Sequence, residues 1–354
     1  MTSSSTSSSE LGPHERVRPG RVPVAALVFL ALIAVVETVA SGTEEWFADA
    51  GSWRWRSKRT LLDAGALDGD VAIFGTSVLA SGLDPRVANS VSRNGRVVNL
   101  ALDGMTLQHE AQLLRERVSA AAPPKVAVLE FREVFVSRDT WIVGPYFRFW
   151  ASGRDLLESR FIYFNPSLSL AFIENRISTV FRQREGARSW IVESVRSGFP
   201  VRRRRDANRA ILATMKEHAG WVGPEVEDWS IESPAEPGRP RPWMVNPAGE
   251  LWLRRFLDTA SSHGLRVVLL LTPAPPPPRL VETPGPQGFR ARFNAQVGRL
   301  REEYPELGLD VFEPTGFALD DFGDEIHLNP KGRAKLSSAF AAWLSDYRQR
   351  HVLE

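Results

Sequence analysis

The hydrophobic pattern divides the chain into a single apolar stretch and a longer body of alternating short and long segments. From Val22 to Val36 the sequence reads VPVAALVFLALIAVV without a charge, and Thr38 to Ser41, after Glu37, are uncharged as well. About 19 residues at 1.5 Å each make roughly 28 Å of helix, enough to cross a bilayer. Apolar on every face, with Ser-rich and Arg-bearing sequence before it, this stretch predicts a membrane helix over a buried core helix. In the body, short apolar runs predict strands at Val71–Phe74, Arg96–Leu100, Lys125–Glu130, Leu265–Leu271 and Leu309–Phe312. Several are continuous apolar runs of the kind buried on both faces of a parallel sheet. Apolar residues recurring three and four apart predict helices over Thr106–Ala121, Pro247–His263, Gln287–Tyr304 and Pro330–Arg348. Strand and helix in alternation predict an α/β fold with a doubly wound parallel sheet, flavodoxin-like in its three layers.

Organisation follows from the gaps in that pattern. Residues 1–21 read as a tail without structure, since Met1 to Glu10 are almost all Ser and Thr. Residues 22–41 read as a retained transmembrane signal anchor, although Thr38-Val39-Ala40-Ser41 offers small residues of the kind a signal peptidase accepts. Residues 42–69 read as a stem, and 70–354 as the α/β domain. The interval of about 130 residues between the third and fourth strands is too long for a loop and predicts an insertion at about 134–245, helical and irregular, rich in Arg and aromatics. Within it Arg202–Arg205 reads either as a solvated helix end or as a site for an anionic group. Pro273–Pro278 predicts an extended loop at the rim of the cleft. Arg16, Arg18 and Arg21 stand closer to the apolar stretch than Arg54, Arg56, Lys58 and Arg59, and Glu44-Glu45 follow its exit. That asymmetry predicts the N-terminus inside and the body extracytoplasmic.

Composition narrows the chemistry. The 354 residues carry 44 basic and 42 acidic side chains, a formal charge of +2, which points away from nucleic acid as a partner. There is no cysteine, which excludes disulfides, Cys-ligated metals and a thiol nucleophile.

Three short stretches carry candidate chemistry. Gly75-Thr76-Ser77 follows the first strand, and a Ser after a Gly at the carboxyl end of a buried strand sits where such sheets carry their ligands. Alone it reads equally as a capping serine. Asp324-Glu325-Ile326-His327-Leu328-Asn329-Pro330 places His327 just before a helix that Asn329 caps. A His three residues after an Asp can be held by it at one ring nitrogen and offer the other to a serine. Gly104 follows the second strand, where a backbone N–H joined by that of Ser77 could hold an oxyanion, or where the glycine serves a turn.

Taken in this order, Gly75-Thr76-Ser77, Gly104 and Asp324-x-x-His327 resemble the SGNH, or GDSL-like, hydrolase superfamily over roughly Asp70 to Arg348, the insertion apart. The resemblance implies Ser77 as nucleophile, Asp324 and His327 as its partners, and the N–H groups of Ser77 and Gly104 as oxyanion donors. It implies no cofactor and no metal. The first block reads Gly-Thr-Ser where the family has Gly-Asp-Ser. Where the family's third block supplies an oxyanion Asn, this chain reads Leu129-Glu130-Phe131-Arg132-Glu133, which leaves the third donor unassigned with Arg132 as a candidate substitute. The membrane helix, the first block continuing to Leu83-Asp84-Pro85 and the altered third block are similar to a membrane-anchored branch that works beside membrane-bound O-acyltransferases, in polysaccharide O-acetylation or D-alanyl transfer. The implied function is an esterase or O-acyltransferase acting on an acylated glycan or acyl donor of the cell envelope. Two other readings stand beside it: a non-catalytic glycan-binding or scaffolding protein, and a metal-dependent phosphatase or sulfatase recruiting Asp103, Glu130 and Asp324.

Overall fold

The computed structural model describes residues 24–91, 95–131, 148–162, 166–197, 201–222, 247–275, 289–324 and 326–351. It divides into two units, Met1–Gly42 and Thr43–Glu354. The described part of the first is one helix, α1 (Val24–Gly42), long and apolar enough to cross a membrane.

The second unit holds α2 (Glu44–Phe47), α3 (Ala50–Asp63), β1 (Val71–Phe74), α4 (Ser77–Gly82), α5 (Pro85–Val91), β2 (Val97–Asn99), α6 (Leu107–Val118) and β3 (Val126–Glu130). Then come α7 (Gly153–Ile162), α8 (Pro166–Ile177), α9 (Thr179–Arg182), α10 (Arg184–Ser197), α11 (Val201–Glu217) and α12 (Pro247–Ser262). The chain continues through β4 (Arg266–Leu270), α13 (Phe289–Glu303), β5 (Asp310–Phe312) and α14 (Pro330–His351). The fold is α/β, with an all-parallel five-stranded sheet ordered β2-β1-β3-β4-β5.

Alternation along the strands explains why they read as unbroken apolar runs. Ala72, Phe74, Ala127, Leu129, Val267 and Leu269 enter one core cluster with α3, α6, α11, α12 and α13. Val71, Ile73, Val126, Val128, Val268 and Leu270 enter the other, against α4, α5 and α14. Every position of β1, β2 and β3, and of β4 after Arg266, is thus buried by one face or the other. In register, Ile73 lies between Asn99 and Val128, so the carboxyl ends of β1, β2 and β3 fall side by side. In this strand order the chain leaves β1 toward one edge and later builds toward the other, and such a reversal is where open sheets bind ligands.

The segment read as a stem belongs to the body instead. Trp53, Trp55, Leu61 and Leu62 of α3 lie in the core. Trp53 donates its indole N–H to Asn208 O on α11 at 2.6 Å, while Asn208 donates to the carbonyls of Glu45 and Ala48 at 2.8 and 3.0 Å. The insertion is helical through α7–α11; its later part, 223–245, lies outside the described residues. Of the arginine run, Arg204 is taken up internally, by Glu193 at 2.6 Å and by the carbonyls of Phe47 and Gly186. The loop expected at Pro273–Pro278 begins at the carboxyl end of β4, and residues 276–278 lie outside the described residues.

Candidate active site

The turn after β1 is shaped by Gly75. A side chain there would come within 2.6 Å of Glu130 Oε2, so only glycine admits the glutamate from the end of β3. Glu130 is fully buried, and its Oε2 accepts the backbone N–H of Thr76 at 2.7 Å and the Thr76 hydroxyl at 3.0 Å. An aspartate at position 76 would set a second carboxylate against that one, so the threonine and the glutamate belong together. Thr76 caps α4, its Oγ1 accepting from Val78 N, and Ser77 follows as the first helical residue.

Sequence positions 250 apart close on each other here: Ser77 Oγ and His327 Nε2 stand 2.8 Å apart. His327 Nδ1 lies 2.6 Å from Asp324 Oδ2, and Asp324 Oδ1 accepts the N–H groups of Ile326 and His327, both at 2.7 Å. Burial alone would raise the Asp324 pKa; the His327 ring and the two amides outweigh it and hold the carboxyl at about 2. The aspartate therefore stays ionised near neutrality, fixes His327 with its Nδ1–H toward Asp324, and leaves Nε2 as the acceptor for the serine proton. His327 is nearly buried, with 9% of its side chain exposed, while Ser77 is half-buried, which leaves the hydroxyl reachable from solvent. The loop carrying both partners is closed by the bridge between Phe322 and Leu328 and by Gly323 N–H donating to His327 O at 2.8 Å. Asn329 caps α14 through Gly332 N–H at 3.0 Å and also donates to Asp320 O and Phe322 O.

The Gly104 turn is joined to the Ser77 turn at its root, where Leu102 N–H donates to Gly75 O at 3.1 Å. Gly104 has φ 72°, a left-handed conformation suited to glycine. Around it the turn is pinned from several sides. Lys58 donates to Ala101 O, Asn99 Oδ1 accepts Ala101 N–H at 3.0 Å, Arg54 pairs with Asp103 at 2.6 Å, and His109 Nδ1 accepts Thr106 N–H at 3.2 Å. Burial drives Lys58 down to about 7, partly offset by the Asp103 charge, and drives His109 down to about 3. Glu110, in the first turn of α6, is pushed well above the usual carboxylate range by burial and then by the charge of Glu130.

Ser77, Asp324 and His327 are thus brought together, and the Gly104 turn is joined to the Ser77 turn. Arg132, the expected third donor, lies outside the described residues. The three carboxylates considered as metal ligands are committed elsewhere, Asp103 to Arg54, Glu130 to Thr76 and Asp324 to His327. Among the described residues no group of three or more His, Asp or Glu side chains is disposed to hold a metal. Sequence reasoning missed Glu130 as the group that holds the Ser77 turn. The signal was its place on a strand otherwise made of Val, Ala and Leu, where a buried carboxylate needs donors.

No family model matches the chain, and no curated protein matches it.

Proposed function

We propose that the chain is a membrane-anchored serine esterase or O-acyltransferase of the SGNH type, acting on an acyl ester of a cell-envelope polysaccharide with its body outside the cytoplasm. The observation that carries this reading is the unbroken line from Ser77 Oγ to His327 Nε2 at 2.8 Å and from His327 Nδ1 to Asp324 at 2.6 Å. A serine hydroxyl is a weak nucleophile until a base takes its proton, and this arrangement supplies both the base and the group that orients it. The strand order and the site at its reversal support a doubly wound sheet of the SGNH kind.

In the proposed reaction His327 Nε2 takes the Ser77 proton as Oγ attacks the ester carbonyl. The N–H groups of Ser77 and Gly104 receive the negative charge of the tetrahedral intermediate, and Asp324 stabilises the imidazolium. The intermediate collapses when His327 returns the proton to the departing alcohol, leaving acyl-Ser77. His327 then takes a proton from water, giving hydrolysis, or from a sugar hydroxyl, giving transfer, and the second collapse restores Ser77. Both outcomes use the same residues. α1 supplies the anchor, and the acceptor glycan and a membrane-bound acyl donor system are the partners this reading implies.

Fluorophosphonate labelling of the full chain tests it. Labelling of wild type that disappears in Ser77→Ala and His327→Ala is the expected result. A folded wild type that does not label overturns the activated serine and leaves a scaffolding role.

A further inference from the structure

Helices α8–α10 of the insertion carry several of their apolar residues on the wrong side for a protein interior, although Phe172 of α8 packs against the core. Along α8, Leu170, Ile173 and Ile177 are three and four residues apart, hence on one face, and all are exposed, Ile177 to 75%. In α10 buried Gly186 and Ser194, with half-buried Trp190 between them, face the protein, while Ile191 and Val195 face outward, Val195 to 82%. Phe181 of α9, between them, is 53% exposed. Arg184 shares a face with Ile191, seven residues on, and pairs with Glu174 of α8 at 3.6 Å, which brings the two helix surfaces together. An outward apolar surface of this extent on a water-soluble body calls for an occupant.

Chain continuity says which one. Only Thr43 separates the end of α1 from the start of α2, so the chain enters α2 directly from the apolar helix. The patch helices are fastened to α2: Gln183 donates to Glu44 at 2.7 Å, Arg182 pairs with Glu44 at 3.2 Å, and Gly186 is packed so closely on Phe47 that a Cβ would lie 2.6 Å from its carbonyl oxygen. Trp46 is partly exposed on the same short helix, a residue type suited to the headgroup layer. Arg184, Arg188 and Arg196 of α10 are exposed and cationic, complementary to anionic headgroups.

We infer that the apolar faces of α8 and α10, with Phe181, lie in the interfacial zone of a lipid bilayer at the point where the chain leaves it, so that the body rests on the lipid surface. This inference rests on α1 being the membrane anchor and is independent of the serine chemistry.

The absence of cysteine makes the test clean. Single cysteines in the full chain, at Ile173→Cys, Ile177→Cys and Val195→Cys, carry a nitroxide spin label in vesicles of phosphatidylglycerol and phosphatidylethanolamine. Val28→Cys in α1 and Leu319→Cys, an exposed apolar position on the body, are the references. Accessibility to oxygen, which concentrates in lipid, is compared with accessibility to a water-soluble nickel chelate. The three patch labels are expected to show an oxygen-to-nickel ratio several-fold above Leu319→Cys and below Val28→Cys. Patch labels that match Leu319→Cys while Val28→Cys is lipid-shielded overturn the inference and leave the anchor standing. Patch labels shielded from both agents overturn it in favour of a protein occupant, such as a second copy. A water-exposed Val28→Cys overturns the anchor and this inference together. Fluorophosphonate labelling of the same variants reads the serine site separately.

Discussion

The groups beside Ser77 and the groups beneath the Gly104 turn meet burial in opposite ways. Asp324 is partly buried, yet one imidazole and two amides donate to it, and its pKa settles at about 2. Lys58, His109 and Glu110 are fully buried, and there burial dominates: Lys58 falls to about 7, His109 to about 3, and Glu110 rises. The number of donors aimed at a carboxylate, more than its depth, decides whether it keeps its charge. A charge is retained at the rim, where the proposed reaction would have an imidazolium to stabilise, and is disfavoured by burial in the layer behind, where the side chains hold the shape of a turn.

The sharpest way to break this contrast is Asp324→Asn. It preserves the shape but removes the charge and the tautomer control, and kcat should fall by about 10⁴ with circular dichroism unchanged. A loss of less than tenfold in ester hydrolysis would remove Asp324 from the machinery.

In the layer behind, the corresponding experiment is on stability. Because the folded pKa of Lys58 lies below its ordinary 10.5, the native chain binds fewer protons than the unfolded chain between about pH 7 and that value, and stability rises with pH across the window. Wild type should gain on the order of 3 kcal/mol between about pH 7 and pH 10 that Lys58→Met does not gain, measured by urea denaturation. Parallel pH profiles for the two proteins would mean that Lys58 keeps its ordinary pKa.

Glu130 joins the two regions, with its carboxylate under Thr76 and its charge felt by Glu110. Glu130→Ala should lower kcat/KM by about 10² through a displaced Ser77 turn and cost about 1–3 kcal/mol for the donors left without an acceptor. Unchanged kinetics in a destabilised variant would confine Glu130 to a structural role. The smallest effect belongs to Glu110→Gln. A carboxyl with a raised folded pKa stabilises below its ordinary 4.5 and loses that contribution as pH rises, so removing it should lift Tm near neutrality by ~2 °C. A lower Tm would show that Glu110 is ionised and paired.

The strands and the serine–histidine loop were legible in the sequence because each is a local signal. A strand buried on both faces is an unbroken apolar run, and Asp324, His327 and Asn329 lie within six residues of one another. What stayed hidden depends on distant partners. In α3 the buried side chains include Arg54 and Lys58 as well as Trp53 and Trp55, so no apolar stripe separates inside from outside. Its covering comes from α11, 155 residues later in the case of Asn208. α10 is harder still, since Ile191, Val192 and Val195 point outward and a periodicity argument would bury them. Glu130 breaks the pattern of its strand visibly, but the donor it serves, Thr76, is 54 residues away.

The separation of Ser77 and His327 also sets a schedule. Ser77 is polymerised 250 residues before His327, and at 5–20 residues per second the ribosome needs roughly 10–50 s to cover that stretch. During that time β1 and its glycine turn exist without His327, the base of the proposed reaction. On the proposed function, a nascent chain would therefore lack the base for its serine throughout that interval, and a product terminated before residue 327 would lack it for good.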